Sequence, residues 1–271
     1  MGVYAIIRAH SLLFPGGVLN TVLLVAALLT MIVGILGAIA QSDIKRLLSF
    51  TLVSHIGYMI FGIALSNELG MSGAIYYVAH HIIVQTTLFL VVGLIERQAG
   101  ASSLNRLGGL AAASPLLAFA FVVPALNLGG IPPFSGFIGK VALLEAGSLQ
   151  GSVLAWTLVA GGTITSLLTL YAVARVWTKA FWRPRADAPE GDLAAATPSA
   201  LLDDGEEVAF VDRADVGRMP AGMLAPTLGL IAVGVALTIF AGPIIGMSDR
   251  AAAEVRDRAV YISAVLGGGP R

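Results

Sequence analysis

The stretch "LNLGGIPPFSGFIGK", residues 126–140, decides how this chain is read. A glycine pair, a proline pair and a lysine interrupt an apolar run that reaches from 114 to 146. A proline inside a helix removes a hydrogen bond and clashes with the preceding turn. A lysine inside a bilayer is costly. As one straight helix, 114–146 would run about 50 Å, against roughly 30 Å of hydrocarbon. Two half-helices resolve the excess. The first would cover 115–126 and stop near Gly129 and Gly130. The second would start at Pro132 and Pro133, where proline suits a first turn. Such a break leaves carbonyls bare on one side and N–H groups bare on the other. In lipid these need protein or water partners. Transporters use discontinuous helices of this kind to line polar cavities and ion sites near the midplane.

The rest of the chain fits that setting. Of its 271 residues 57% are hydrophobic and only 12% charged, where a soluble globular protein carries roughly 25% charged residues. Apolar segments recur at about 18–40, 47–66, 73–95, 114–146, 152–178 and 222–246, each able to cross a bilayer as a helix. They lack the alternation of barrel strands. The expected fold class is therefore an all-α polytopic membrane protein: about six transmembrane helices, one of them discontinuous, after an N-terminal helix stub. The start, "MGVYAIIRAHSLLFPGG", makes a poor signal peptide because Arg8 cuts its apolar run. It reads as the tail of a helix whose beginning is missing. The formal net charge is zero, which gives no case for a nucleic-acid partner. With no cysteine, disulfides, iron–sulfur clusters and thiolate metal sites are excluded.

The loops alternate in charge. Loops 41–46, 96–113 and 179–221 carry Lys or Arg, whereas 67–72 and 147–151 carry none. The positive-inside rule puts the basic loops in the cytoplasm, provided 114–146 crosses once. The tail from Ser248 then falls outside despite its arginines. The domain reading is a transmembrane repeat over 1–182, a mobile acidic cytoplasmic loop over 183–221, a last transmembrane helix over 222–247 and a C-terminal tail over 248–271. The acidic loop holds nine of the sixteen Asp and Glu residues. It reads as a solvated connector, with "EEVAFV" (206–211) as a weak strand or partner contact.

Lys140 lies well inside the broken segment. It either snorkels to an interface and anchors the helix, or is a buried amine that gains and loses a proton beside the break. The second reading is favoured. His55 in "LVSHIGYM" and His80 and His81 in "YYVAHHIIVQTTLFL" sit near mid-membrane. His81 and Gln85, four apart, share one helix face. Histidine titrates near neutral pH, so a chain of histidine, water and lysine can pass protons. A single histidine of this kind is as readily an interhelical hydrogen bond. All three together with Lys140 favour a polar axis. No HExxH spacing and no carboxylate accompanies them, so no metal site is expected. "GGTITSLLTLYAVAR" (161–175) reads as helix packing, with Arg175 snorkelling at the cytoplasmic end. In "QSDIKRLLSF" (41–50), Ser42 or Asp43 is the helix cap. Lys45 there is an orientation anchor first, and a proton-uptake residue second.

"QSDIKRLLSFTLVSHIGYM", "HHIIVQTTLFLVVGLIER" and "LNLGGIPPFSGFIGK", in this order, resemble the antiporter-like membrane subunits of respiratory complex I and of Mrp-type cation/proton antiporters. The double-histidine segment is most similar to the D-type branch of the Mrp-type Na⁺/H⁺ antiporters. The resemblance covers about residues 2–180. It implies a fourteen-helix fold with two inverted five-helix repeats, of which this chain holds the second, the C-terminal half. It places Lys140 on the family's lysine of the broken helix, and His55 and His81 in the central hydrophilic axis. There are two departures. The first repeat is absent, and Gln85 stands where many relatives carry a lysine.

The resulting expectation is a proton-translocating module of a multisubunit monovalent cation (Na⁺)/proton antiporter in the cytoplasmic membrane. Its partners would be other membrane subunits, protons, monovalent cations and the lipid bilayer. It would need no cofactor and no catalytic chemistry of its own. One alternative is an antiporter-like subunit of NADH-quinone oxidoreductase or of a membrane-bound hydrogenase, in which case the chain is part of a translocase. An alternative of another class is a non-transporting membrane scaffold or fragment.

Overall fold

The computed structural model describes residues 2–14, 17–189 and 219–267. Most of loop 183–221, including 206–211, therefore lies outside the described residues. Among these there is no β-strand, only an isolated bridge between Asp43 and Ser103. Helices α1 (Gly2–Leu13), α2 (Asn20–Ala40), α3 (Ile44–Ala64) and α4 (Glu68–Ala99) come first. The short α5 (Leu110–Ala113), α6 (Pro115–Gly129), α7 (Ser135–Gln150) and α8 (Val153–Val176) follow. A π-helical turn, Trp177–Trp182, extends α8. The last three are α9 (Ala221–Ile239), α10 (Ala241–Arg256) and α11 (Arg258–Leu266). Helices α2, α3, α4 and α9, and α8 with its extension, are long and apolar enough to cross a membrane. The sixth crossing is the pair α6–α7, neither half of which is long enough alone.

The basic loops gather at one end of the bundle. Asp43 caps α3 by accepting from the Arg46 amide and from the Ser102 hydroxyl; Ser42 supplies a backbone carbonyl to Leu104 instead. Lys45 pairs with Glu96 at 2.7 Å. Arg183 donates to the carbonyls of Leu104 and Leu107. Arg175 does not snorkel freely. Its guanidinium is spent on the Ile39 carbonyl, at the C-terminal end of α2, where a cation complements the helix dipole. At the opposite end Arg256 donates to the Ser66 carbonyl and Arg258 to that of Leu12.

The end of the chain departs from the expectation. The helix predicted over 222–247 stops at Ile239, and α10 and α11 occupy much of the predicted tail. Pro243 is the reason. It has no N–H for the Ile239 carbonyl, and its ring crowds the preceding turn. Phe240, outside helical geometry, divides the two pieces. Together α9 and α10 run antiparallel along all of α4. Met223 faces Gly93, Gly234 faces Ile83, Asp249 meets Ser72 and Arg256 meets Ser66 just before α4.

Candidate functional site

The break between α6 and α7 is built so that its backbone groups are satisfied. Gly130, at φ +80, ends α6 in the left-handed region that favours glycine. Its N–H and that of Ile131 take up the carbonyls of Leu126 and Asn127. This leaves the carbonyls of Leu128 and Gly129. Lys140, from the second turn of α7, donates to both, at 2.9 and 3.1 Å. It also donates to Ser166 Oγ at 3.0 Å, and Ser166 in turn donates to the Gly129 carbonyl. All four terminal carbonyls of α6 thus have partners, two of them through one amine. In hydrocarbon each group left bare would cost several kcal/mol.

The start of α7 is treated in the same way. The Ser135 amide donates to Thr238 Oγ1 of α9 at 3.0 Å. The Gly136 amide donates to Asn127 Oδ1 of α6 at 2.9 Å. Pro132 and Pro133 lie in the turn that Phe134 closes back to Ile131, not in the first helical turn as expected. The helix opens at Ser135 because that is where side-chain acceptors meet its free N–H groups. Gly136 has no room for a side chain. A Cβ there would lie 2.0 Å from the Asn127 carbonyl oxygen and 2.9 Å from the His80 ring.

Lys140 is buried, 4% exposed, which excludes the snorkelling reading. Its amine lies 5.6 Å from the centre of the Tyr58 ring, close enough for a cation–π contact. Its hydrogen-bond partners among the described residues include no carboxylate. The charge is held by two carbonyls, a hydroxyl, a ring face and the negative end of the α6 dipole. Desolvation works against that charge.

The three histidines converge beside this amine. His55 stacks on His81 with ring centres 5.0 Å apart. Tyr77 stacks against His55 and His81 and tilts against His80 and Tyr58. The hydrogen-bond pattern favours one tautomer at each of two rings. Thr169 donates its hydroxyl hydrogen to the Thr165 carbonyl. It can therefore only accept from His55 Nε2, 3.5 Å away. His55 Nδ1 then accepts from the Tyr77 hydroxyl at 2.9 Å. In the same way Ser135 Oγ donates to Asn127 Oδ1, so neutral His80 donates from Nδ1 to Ser135 at 3.0 Å. Its Nε2 keeps a lone pair with no protein partner among the described residues. Both ring nitrogens of His81 and the Gln85 side-chain oxygen are likewise buried without partners, while the Gln85 amide donates to the Leu48 carbonyl.

The lysine, the histidines and the break singled out in the sequence lie together in the structure. From the sequence alone Tyr58, Tyr77, Asn127, Ser135 and Thr238 are missed, and Ser166 and Thr169 are taken for packing. Tyr77 carries a signal, since it lies four residues before His81 on the same face. The two hydroxyls on α8 do not, because nothing local shows that they meet the break. Lys45 stands apart, half exposed at the basic end.

Residues 1–169 match the family model for the transmembrane region of NADH:quinone oxidoreductase and Mrp antiporters. The chain belongs to that family. It is 36% identical over 270 residues to the D-type subunit of the Na⁺/H⁺ antiporter of Alkalihalophilus pseudofirmus, covering 98% of this chain and 49% of that protein. Against the D-type Na⁺/H⁺ antiporter subunit of Bacillus subtilis the identity is 33% over 192 residues, 70% of this chain and 38% of the relative. The chain thus spans about half the length, or less, of these curated relatives. Among solved structures, a chain of the Mrp complex from Dietzia sp. DQ12-45-1b superposes with TM-score 0.81 at 36% identity, over 98% of this chain and 53% of that one. A chain of the archaeal membrane-bound sulfane sulfur reductase, at 21% identity and TM-score 0.76, over 98% of this chain and 49% of that one, shows the shared fold. Membership makes this an integral multi-pass membrane protein with the antiporter-like fold.

Proposed function

We propose that this chain is the proton-translocating second half of a D-type subunit in a multisubunit Na⁺/H⁺ antiporter, working with other membrane subunits. One observation carries the reading. A buried amine, whose hydrogen-bond partners among the described residues include no carboxylate, satisfies the open carbonyls of a broken helix beside three buried histidines. An amine poised in this way can exchange its proton when the break or its water changes, and its charge is felt across the whole site. Lys140 is the switching group, and His55, His80 and His81 relay protons to it. Lys45, paired with Glu96, anchors the basic end. The driving force is the membrane potential with the proton gradient, about 2.3 kcal/mol per charge per 100 mV. The 36% identity to a Na⁺/H⁺ antiporter protein and to a chain of an Mrp complex, each over 98% of this chain, supports this above a complex I-type assignment.

The test is the assembled complex in proteoliposomes holding a pH gradient, challenged with Na⁺, Li⁺ and K⁺ in turn. Addition of Na⁺ should collapse the gradient. A complex whose gradient is indifferent to every monovalent cation would refute antiport.

A further inference from the structure

Helix α4 carries two polar ladders, each stepping by four residues. Tyr77, His81 and Gln85 form the one that meets His55. Ser72, Tyr76 and His80 form the other, on the adjacent face, and the proton relay described above uses only its last member. Ser72 is 3% exposed and Tyr76 2%. The Ser72 hydroxyl donates to a carboxylate oxygen of Asp249 on α10. Asp249 is partly exposed, near the end of the bundle where Arg256 meets Ser66. The Tyr76 hydroxyl is buried and has no protein partner among the described residues. His80 likewise holds an unpartnered lone pair on Nε2. The Tyr76 ring lies against Gly139 of α7, next in sequence to Lys140.

Buried hydroxyls are almost always hydrogen-bonded, so one without a protein partner marks a place for water. From Ser72 to His80 the helix rises about 12 Å, most of the roughly 15 Å between the bilayer centre and the edge of the hydrocarbon. The break between α9 and α10 at Phe240 and Pro243 aims α10 so that its acid arrives at the top of this ladder.

We propose that Asp249, Ser72 and Tyr76 form a proton half-channel between His80 and the membrane face opposite the basic loops. A proton taken up by the Asp249 carboxylate passes to the Ser72 hydroxyl, through water to the Tyr76 hydroxyl, and on to His80 Nε2. Each hydroxyl accepts one proton as it releases its own, so no net charge is left on the ladder. The half-channel rests on the transport reading and assigns its outer side. The competing role for the Ser72–Asp249 contact is to pin α10 to α4.

The sequence contains no cysteine, so single cysteines report cleanly on this chain within the assembled complex. Ser72→Cys and Tyr76→Cys should react with a charged, membrane-impermeant thiol reagent added at the face opposite the basic loops. Ile82→Cys, on an exposed apolar face of the same helix, should stay unlabelled. Tyr76→Phe and Asp249→Asn preserve shape, and the asparagine still accepts from Ser72. Each should slow Na⁺-driven proton movement about tenfold at unchanged assembly, and Asp249→Glu should restore most of the rate. The half-channel is overturned if position 76 is unlabelled, or is labelled only from the basic-loop face. It is equally overturned if both conservative variants transport at full rate. Lys140→Ala, run in parallel, separates the two claims. Full transport in that variant removes the switching amine, whereas loss there with full rate in Tyr76→Phe and Asp249→Asn removes only the half-channel.

Discussion

Lys140 Nζ donates to the Leu128 carbonyl at 2.9 Å, bridging the gap between the two halves of one membrane crossing. The amine is at once the cap of α6 and the only cation at the centre of the bundle among the described residues. Losing its proton would cost it one donor and one charge. Protonation and the geometry of the break are therefore coupled through the same three contacts.

Ser166 holds the third of these contacts, so Ser166→Ala should slow transport without stopping it. The variant leaves the two carbonyls in place. A hydrogen bond to a charged group is worth about 1.5–3 kcal/mol, of which part returns through rearrangement. A threefold to tenfold loss of rate is expected in vesicles, with assembly unchanged. An unaltered rate would reduce Ser166 to packing.

His81→Phe should separate stability from function. The histidine ring is buried, neither nitrogen has a partner among the described residues, and its stacking on His55 survives in phenylalanine. Leaving polar atoms buried and unpaired costs about 1–3 kcal/mol each. The variant is therefore expected to melt at the same or a higher temperature while transport falls at least tenfold. Loss of both would make His81 a structural residue.

Gly136→Ala should fail to fold. Its methyl group would meet the Asn127 carbonyl oxygen at 2.0 Å, a backbone collision that no rotamer relieves. A penalty of about 3–5 kcal/mol is expected, seen as loss of assembled complex on size-exclusion chromatography. Normal assembly would show that the two halves of the break are free to separate.

Lys45→Gln tests the anchor. The lysine side chain is 50% exposed in its pair with Glu96, and exposed pairs contribute about 0–1 kcal/mol. Transport and stability should both stay near wild type. A large fall in rate would instead make Lys45 a proton-uptake residue.

The fold is legible wherever composition alone decides it. Six apolar stretches, charge-alternating loops and a glycine–proline break fix the crossings and their order. Other features leave no such trace. The end of α9 is easily carried past Pro243, because the flanking residues stay apolar and length gives no warning. The start of α7 depends on Thr238, about a hundred residues away, and long-range caps leave no local pattern. Lys140 and the histidines are conspicuous because charge and imidazole are rare in lipid. Ser166, Asn127 and Ser135 are not, because hydroxyls and amides are common packing residues in membrane helices.

The Lys140 amine, as the protonic switch of the module, holds the account together. Its most direct test is Na⁺-dependent proton movement in vesicles bearing the assembled complex with Lys140→Ala, with the content of each subunit checked by copurification. The account predicts loss of transport by at least about a hundredfold in a complex that still assembles. Transport at the wild-type rate in that complex would contradict it.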